Sequence, residues 1–342
     1  MTKYIKGCMV LSFFLIACSK SNSSGNTNVA PTNLTINAVA STDSTGNVSV
    51  TAKANNAISY DIDFGNGVIE TVPSGVVIYK YPQSGTYTIN VIAKSSSSQV
   101  ASANTQVTVG VKLALYWSDE FNTDGAPDPS KWGYDTGTGA GGWGNNELEY
   151  YTSRPDNAIV QGGVLKITAK VESYMGSSYT SARLLSHGKF DFTYGHVDIR
   201  AMLPAGIGTW PALWMLGSDE NTVAWPACGE IDIMEQKGSQ LNTIYGTLHY
   251  PGHSGANGNS ATTTISNSTT QFHIYSVDWS PSAVKLSVDG TVFQTVANSP
   301  GLPFNLNFFF IMNVAMGGNF TGPVDPNFTS ATMQVDYIRV YK

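Results

Sequence analysis

The chain has 342 residues, enough for two domains and a leader. Charged residues make up 12%, about half of the ~25% usual for globular chains, while hydrophobic residues reach 42% and aromatic residues 11%. This balance reads as an extracytoplasmic β-rich protein, and a net charge of −6 leaves no basic surface for a phosphate backbone, which excludes nucleic-acid binding.

At the start, Lys3 and Lys6 precede a short apolar stretch ending at Ala17, the layout of a secretory leader over residues 1–17. No later apolar run is long enough to span a bilayer as a helix. Leu15-Ile16-Ala17-Cys18 resembles the lipobox of bacterial lipoproteins. The resemblance implies that Cys18 is lipidated. It places the protein in the bacterial cell envelope, anchored to the outer membrane and facing the periplasm or the surface. A plain secretory signal with a coincidental cysteine is the alternative. Stable anchoring needs more than one acyl chain, each buried methylene contributing roughly 0.8 kcal/mol. With Cys8 lost and Cys18 acylated, Cys228 has no partner, so no disulfide is expected and Cys228 reads as a buried, inert thiol. Residues 18–30 are rich in Ser, Asn and Gly and read as a flexible tether.

Residues 31–111 carry short β runs, with alternation over 47–52 and 87–93 and turn residues at Gly65-Asn66-Gly67 and Ser84-Gly85. About eighty such residues predict a small Ig-like β-sandwich. Tyr60-Asp61-Ile62-Asp63-Phe64-Gly65-Asn66-Gly67 and Tyr81-Pro82-Gln83-Ser84-Gly85-Thr86-Tyr87 resemble the polycystic kidney disease (PKD) domain. Ile62 stands where that pattern has an aromatic, and Asn66 where it has an Asp. Glycan binding and spacing are both open roles; the lack of a legible aromatic cluster favours a spacer.

From residue 112 to 342 the character changes. All seven Trp lie here, and strand-like runs recur at 165–171, 196–202, 275–279, 284–289, 308–314 and 334–341. No stretch has helical period over a useful length. These 230 or so residues predict one large antiparallel β-jelly-roll sandwich, so the whole chain is expected to be all-β.

The most informative segment is Gly229-Glu230-Ile231-Asp232-Ile233-Met234-Glu235. Alternation places Glu230 and Asp232 on one face of a strand and Ile231 and Ile233 in the core. The same alternation would bury Glu235, which is very unfavourable for an unpaired carboxylate. A β-bulge near Met234 would return Glu235 to the face of Glu230. The two glutamate backbones would then be roughly 13 Å apart, and side chains leaning together could close the carboxyls to about 5–5.5 Å, the spacing of retaining glycosidases. One carboxylate would attack the anomeric carbon; the other would protonate the leaving oxygen and then activate water. Asp232 between them raises a neighbour's proton affinity or shares its proton.

Glu-Ile-Asp-Ile-Met-Glu resembles the signature of glycoside hydrolase family 16, in its bulged, laminarinase-like branch. Ordered matches extend over the C-terminal region: Asp119-Glu120-Phe121-Asn122, Gly144-Asn145-Asn146-Glu147-Leu148-Glu149-Tyr150-Tyr151-Thr152, Trp210-Pro211-Ala212-Leu213-Trp214-Met215, Gly246-Thr247-Leu248-His249, Asn313-Val314-Ala315-Met316-Gly317-Gly318 and Asp336-Tyr337-Ile338-Arg339-Val340-Tyr341. The resemblance implies Glu230 as nucleophile, Asp232 as its electrostatic helper and Glu235 as general acid/base. It places Trp210 and Trp214 by the cleft; Pro211 between them reads as a break in regular structure, and Trp225 and Trp143 are looser sugar-platform candidates. Trp117, Trp132 and Trp279 read as core. Asn146 and Arg183 match sugar-binding positions, although Arg183 could equally form a rim salt bridge, and His249 matches a cleft-floor histidine. Catalysis is expected to need no cofactor. A structural Ca²⁺ is implied at Glu120, the Gly163 carbonyl and Asp336.

The sequence thus reads as a monomeric, membrane-anchored retaining endo-hydrolase of β-glucan polysaccharide, with β-1,3-glucan such as laminarin as the first substrate. Mixed-linkage β-glucan and marine galactans are alternatives within the family. A non-catalytic glucan-binding protein is the rival of another class, and the presence of both Glu230 and Glu235 argues against it.

Overall fold

A computed structural model describes residues 29–342. The leader, Cys18 and nearly all of the expected tether lie outside the described residues. Among the described residues no helix is long and apolar enough to cross a membrane.

Residues 32–109 form two small sheets. One pairs Thr32–Ala40, Asn47–Asn55 and Val76–Lys80; the other orders Ile69–Val72, Ser59–Asp63, Gly85–Lys94 and Val100–Val109. Period-two alternation supplies their shared core: Val48, Val50 and Ala52 from one sheet meet Ile62, Ile89, Val91 and Ala93 from the other. Tyr81 is fully buried between them, and its hydroxyl donates to the Phe64 carbonyl at 2.9 Å. A buried phenol without such an acceptor would be strongly unfavourable.

A ten-stranded and a seven-stranded sheet, built from residues 115–341, have a separate core. All six strand-like runs of the sequence fall in these sheets, although Asp289 lies just past its strand. The ten-stranded sheet contributes Leu165, Ile167, Val197, Ile199, Tyr275, Val277, Leu286, Val335, Ile338 and Val340. Facing them are Leu213, Met215, Ile231, Leu248, Phe310, Met312 and Val314 of the seven-stranded sheet. Trp132 and Trp279 are buried as expected, and Trp117 packs partly buried against this core.

The seven-stranded sheet runs Asn259–Thr264, Thr243–His249, Glu230–Glu235, Thr209–Gly217, Phe308–Met316, Arg183–Leu185 and Gly133–Asp135. Glu230–Glu235 is therefore an interior strand, held on both sides by backbone ladders. Gly229, at φ +82°, turns the chain into it; a Cβ there would come within 2.8 Å of the Phe308 ring. Interior strands do not slide, so side chains pointing away from the core are fixed in position.

Candidate active site

The carboxylate strand carries a bulge. Against Thr209–Gly217, Leu213 faces Met234 but Trp214 already faces Asp232, so Ile233 is the extra residue. On its other side Asp232 pairs with Thr247 and Glu235 with Tyr245, the same one-residue offset. Ile233 and Met234, adjacent in sequence, are both fully buried in the core. Glu235 is thereby returned to the face of Glu230 and Asp232, as the acid spacing requires.

On the neighbouring strand the same alternation works without a break. Leu213 and Met215 enter the core, while Trp210 and Trp214 flank the small Ala212 on the opposite face. Pro211 does not interrupt the strand, contrary to its reading as a breaker: Thr209–Gly217 pairs residue by residue with Phe308–Met316. Regular period two is what places both indoles beside the acids.

Each glutamate receives an indole hydrogen bond. Trp210 Nε1 donates to Glu235 Oε1 at 2.8 Å, and Trp225 Nε1 donates to Glu230 Oε2 at 2.8 Å. His249 Nε2 lies 3.3 Å from Asp232 Oδ2 and 3.7 Å from Glu230 Oε1. The histidine comes from the adjacent strand, directly opposite Glu230 in register. Trp225 is about half exposed and Glu235 is 8% exposed, so the acids line the floor and Trp225 the rim.

Burial sets the electrostatics. It pushes Glu230 up to about 8, with the Asp232 carboxyl beside it adding to the rise. Burial likewise pushes Glu235 up to about 7, against the lowering effect of the Trp210 hydrogen bond. Burial and then Glu235 hold Asp232 well above the usual carboxylate range. Shared burial and mutual repulsion thus favour the protonated forms of these three carboxyls. One face of one strand thus gathers three carboxyls whose proton affinities are all raised.

Other expected residues occupy supporting positions. Trp214 Nε1 donates to Asn313 Oδ1 at 2.7 Å. Arg183 does form the rim ion pair, its Nε 3.0 Å from Asp135, and its guanidinium also lies 4.6 Å from the Trp143 ring centre and 4.8 Å from that of Trp214. Asn146 is exposed and donates to Asn319 Oδ1 at 2.9 Å. An aromatic group beside Trp210 escaped the sequence reading. Phe320 lies 4.9 Å from the Trp210 ring, Tyr245 lies 5.1 Å from Phe320, and Lys237 Nζ sits 4.4 Å over Phe320. Only Tyr245, on a strand facing Glu235, had a sequence signal that could have placed it.

Cys228 is a free, fully buried thiol, and burial pushes it up to about 11, consistent with an inert core residue. The expected calcium ligands do not fit the ion. Both Glu120 oxygens accept hydrogen bonds from Arg339, at 3.0 and 2.8 Å, and Asp336 is paired with Arg200. Gly163 sits in the turn where the Gly162 N–H binds Asp124. Carboxylates neutralised by guanidinium groups are not a calcium cradle. Among the described residues the one group of three or more potential metal-ligating side chains is Glu230, Asp232 and His249.

Residues 145–339 match the family described as glycosyl hydrolases family 16. A β-glucanase of Rhodothermus marinus is 43% identical over 67% of this chain and 85% of that protein. A glucan endo-1,3-β-glucosidase A1 of Niallia circulans is 40% identical over 67% of this chain, which spans 38% of that longer protein. The crystal structure of the laminarinase from Rhodothermus marinus superposes with a TM-score of 0.65 at 42% identity, covering 68% of this chain and 98% of that one.

Proposed function

The chain belongs to glycosyl hydrolase family 16, and we propose that it cuts β-1,3-glucan internally with retention, using Glu230 as nucleophile and Glu235 as acid/base. The observation that carries this reading is the bulge at Ile233, which puts both glutamates on one face of an interior strand, each held by its own indole donor. The free-protein values near 8 and 7 do not order the two roles; position in the motif does. Glu230 lies beside Asp232, which can share its proton, and accepts the Trp225 indole N–H, which stabilises its anion; His249 Nε2 lies 3.7 Å away. Glu235 keeps the proton that the leaving oxygen needs, then removes one from water. Asp232 is the electrostatic helper between them.

Trp210 and Trp214 supply flat apolar faces for sugar rings, and Asn146, Arg183, Trp225 and His249 border the same cleft as candidate substrate contacts. Reducing-sugar release from laminarin, lichenan, agarose and carrageenan tests the substrate. Laminarin is expected to be cut fastest; preference for lichenan or a galactan would move the enzyme to another branch. Binding without release from any of the four would make it a glucan-binding protein.

The leader motif supports lipidation at Cys18 and attachment to the outer membrane. Cys18→Ala is expected to release the protein from the membrane fraction; unchanged fractionation would refute the anchor. Residues 31–111, with their PKD-like pattern, serve in this reading as a spacer between membrane and catalytic unit.

A further inference from the structure

A second pair of acids lies apart from the catalytic three. Glu149 is completely buried, on the short strand Glu149–Tyr151. Its Oε2 accepts the Met316 backbone N–H at 2.6 Å, while its Oε1 is buried with no hydrogen-bond partner. Glu147, two residues earlier and on the same side by alternation, lies against it. Glu147 is already an acceptor twice over: Asn145 Nδ2 donates to Oε1 at 3.1 Å and the Tyr151 hydroxyl to Oε2 at 3.0 Å.

Donor and acceptor counting decides where the proton sits. Asn313 Nδ2 donates to the Tyr151 oxygen at 3.0 Å, so the Tyr151 hydrogen points to Glu147. Trp214 Nε1 donates to Asn313 Oδ1. The relay runs one way, from the Trp214 indole through Asn313 and Tyr151 to Glu147, which accepts a hydrogen bond at each of its two oxygens. An unpartnered anionic oxygen on Glu149 would be very unfavourable there. A proton on that oxygen, donated to Glu147, removes the problem. Burial and then the Glu147 carboxylate push Glu149 in that direction. The other charged or titratable groups near the pair are Tyr151, fully buried, and Arg183, whose charge bears on Tyr151 and is paired with Asp135.

We propose that Glu149 is a positioning residue: a permanently neutral carboxylic acid whose proton, shared with Glu147, locks the Gly142–Asn146 segment and the Trp214 platform into one arrangement. That segment carries Trp143, whose ring and that of Trp214 both lie against the Arg183 guanidinium, and Asn146, tied to Asn319. The same anchor therefore shapes the cleft wall without touching the reacting bond. The substrate side of this inference rests on the glucanase reading above; the protonation state does not.

The test compares Glu149→Gln with Glu149→Ala in the full chain. Glutamine reproduces the neutral acid, its oxygen accepting from Met316 and its amide donating to Glu147. Infrared difference spectra at pH 8, wild type minus Glu149→Gln, need no glucan. They are expected to show a carboxylic-acid carbonyl band that the wild type has and the variant lacks; carboxylate bands present in the wild type and missing from the variant would instead overturn the proposal. On laminarin, Glu149→Gln is expected to keep KM and kcat within about twofold, whereas Glu149→Ala raises KM about tenfold and changes kcat much less. A folded Glu149→Gln as defective as Glu149→Ala, or an unimpaired Glu149→Ala, would also overturn it. If the wild type does not act on laminarin, the glucanase reading fails while the infrared result still decides this one.

Discussion

Trp210 and Trp225 serve Glu235 and Glu230 in the same way: one indole N–H to each carboxylate, both at 2.8 Å. Each donor stabilises the ionised form of its own glutamate and so lowers that group alone.

This symmetry separates the roles by pH. Trp210→Phe removes the donor to Glu235 and raises its proton affinity. If Glu235 must be protonated, the basic limb of the kcat/KM profile moves to higher pH. Trp225→Phe raises Glu230, which must be ionised, so the acidic limb moves up instead. Profiles in which the two variants move the opposite limbs would reverse the assignment.

Azide rescue checks the same roles by stereochemistry. Glu230→Gly is expected to lose at least ~10³-fold in kcat, and on an activated β-glucoside added azide should give the α-glycosyl azide, since azide then replaces the nucleophile in a single displacement. Glu235→Gly should give the β-glycosyl azide, because the covalent intermediate still forms. A β product from Glu230→Gly would remove it as nucleophile.

Glu230 and Glu235 also oppose folding. In the unfolded chain Glu230 and Glu235 titrate near 4.5; in the folded protein they are raised to about 8 and 7. The native state therefore binds more protons across that window, and stability falls as pH rises from about 4.5 to 8. Glu230→Gln should unfold at a higher temperature than wild type at pH 8, by an amount on the order of 1–2 kcal/mol in stability, with the gain gone near pH 4. A gain that is equal at both pH values would mean that charge is not its cause.

The bulge makes a prediction of its own. Deleting Met234 leaves Glu, Ile, Asp, Ile, Glu, in which plain alternation still puts both glutamates on the cleft face. The deletion removes a fully buried side chain and should destabilise by about 2–5 kcal/mol. Turnover should nevertheless exceed that of Glu235→Gln at least tenfold, measured well below the melting temperature. Activity no higher than that of Glu235→Gln would show that the bulge sets the carboxyl geometry itself and not just the facing.

Much of this is legible in the sequence alone. The acid strand, the need for a bulge beside Met234, and the strand-rich C-terminal region follow from local rules: alternation, and the high penalty for an unpaired buried carboxylate. Those rules act over neighbours in sequence, so sequence alone determined them. The pairing of Arg339 with Glu120 and of Arg200 with Asp336, which displaces the expected calcium cradle, was not legible, because the partners lie 219 and 136 residues apart. Nor was the run of donors from Trp214 through Asn313 and Tyr151 to Glu147, which joins strands distant in the chain. Pro211 reads as a breaker locally, yet the ladder to Phe308–Met316 runs through it in unbroken register. Which carboxylate meets a cation and which must keep a proton is decided by groups that only the folded sheets bring within hydrogen-bond reach.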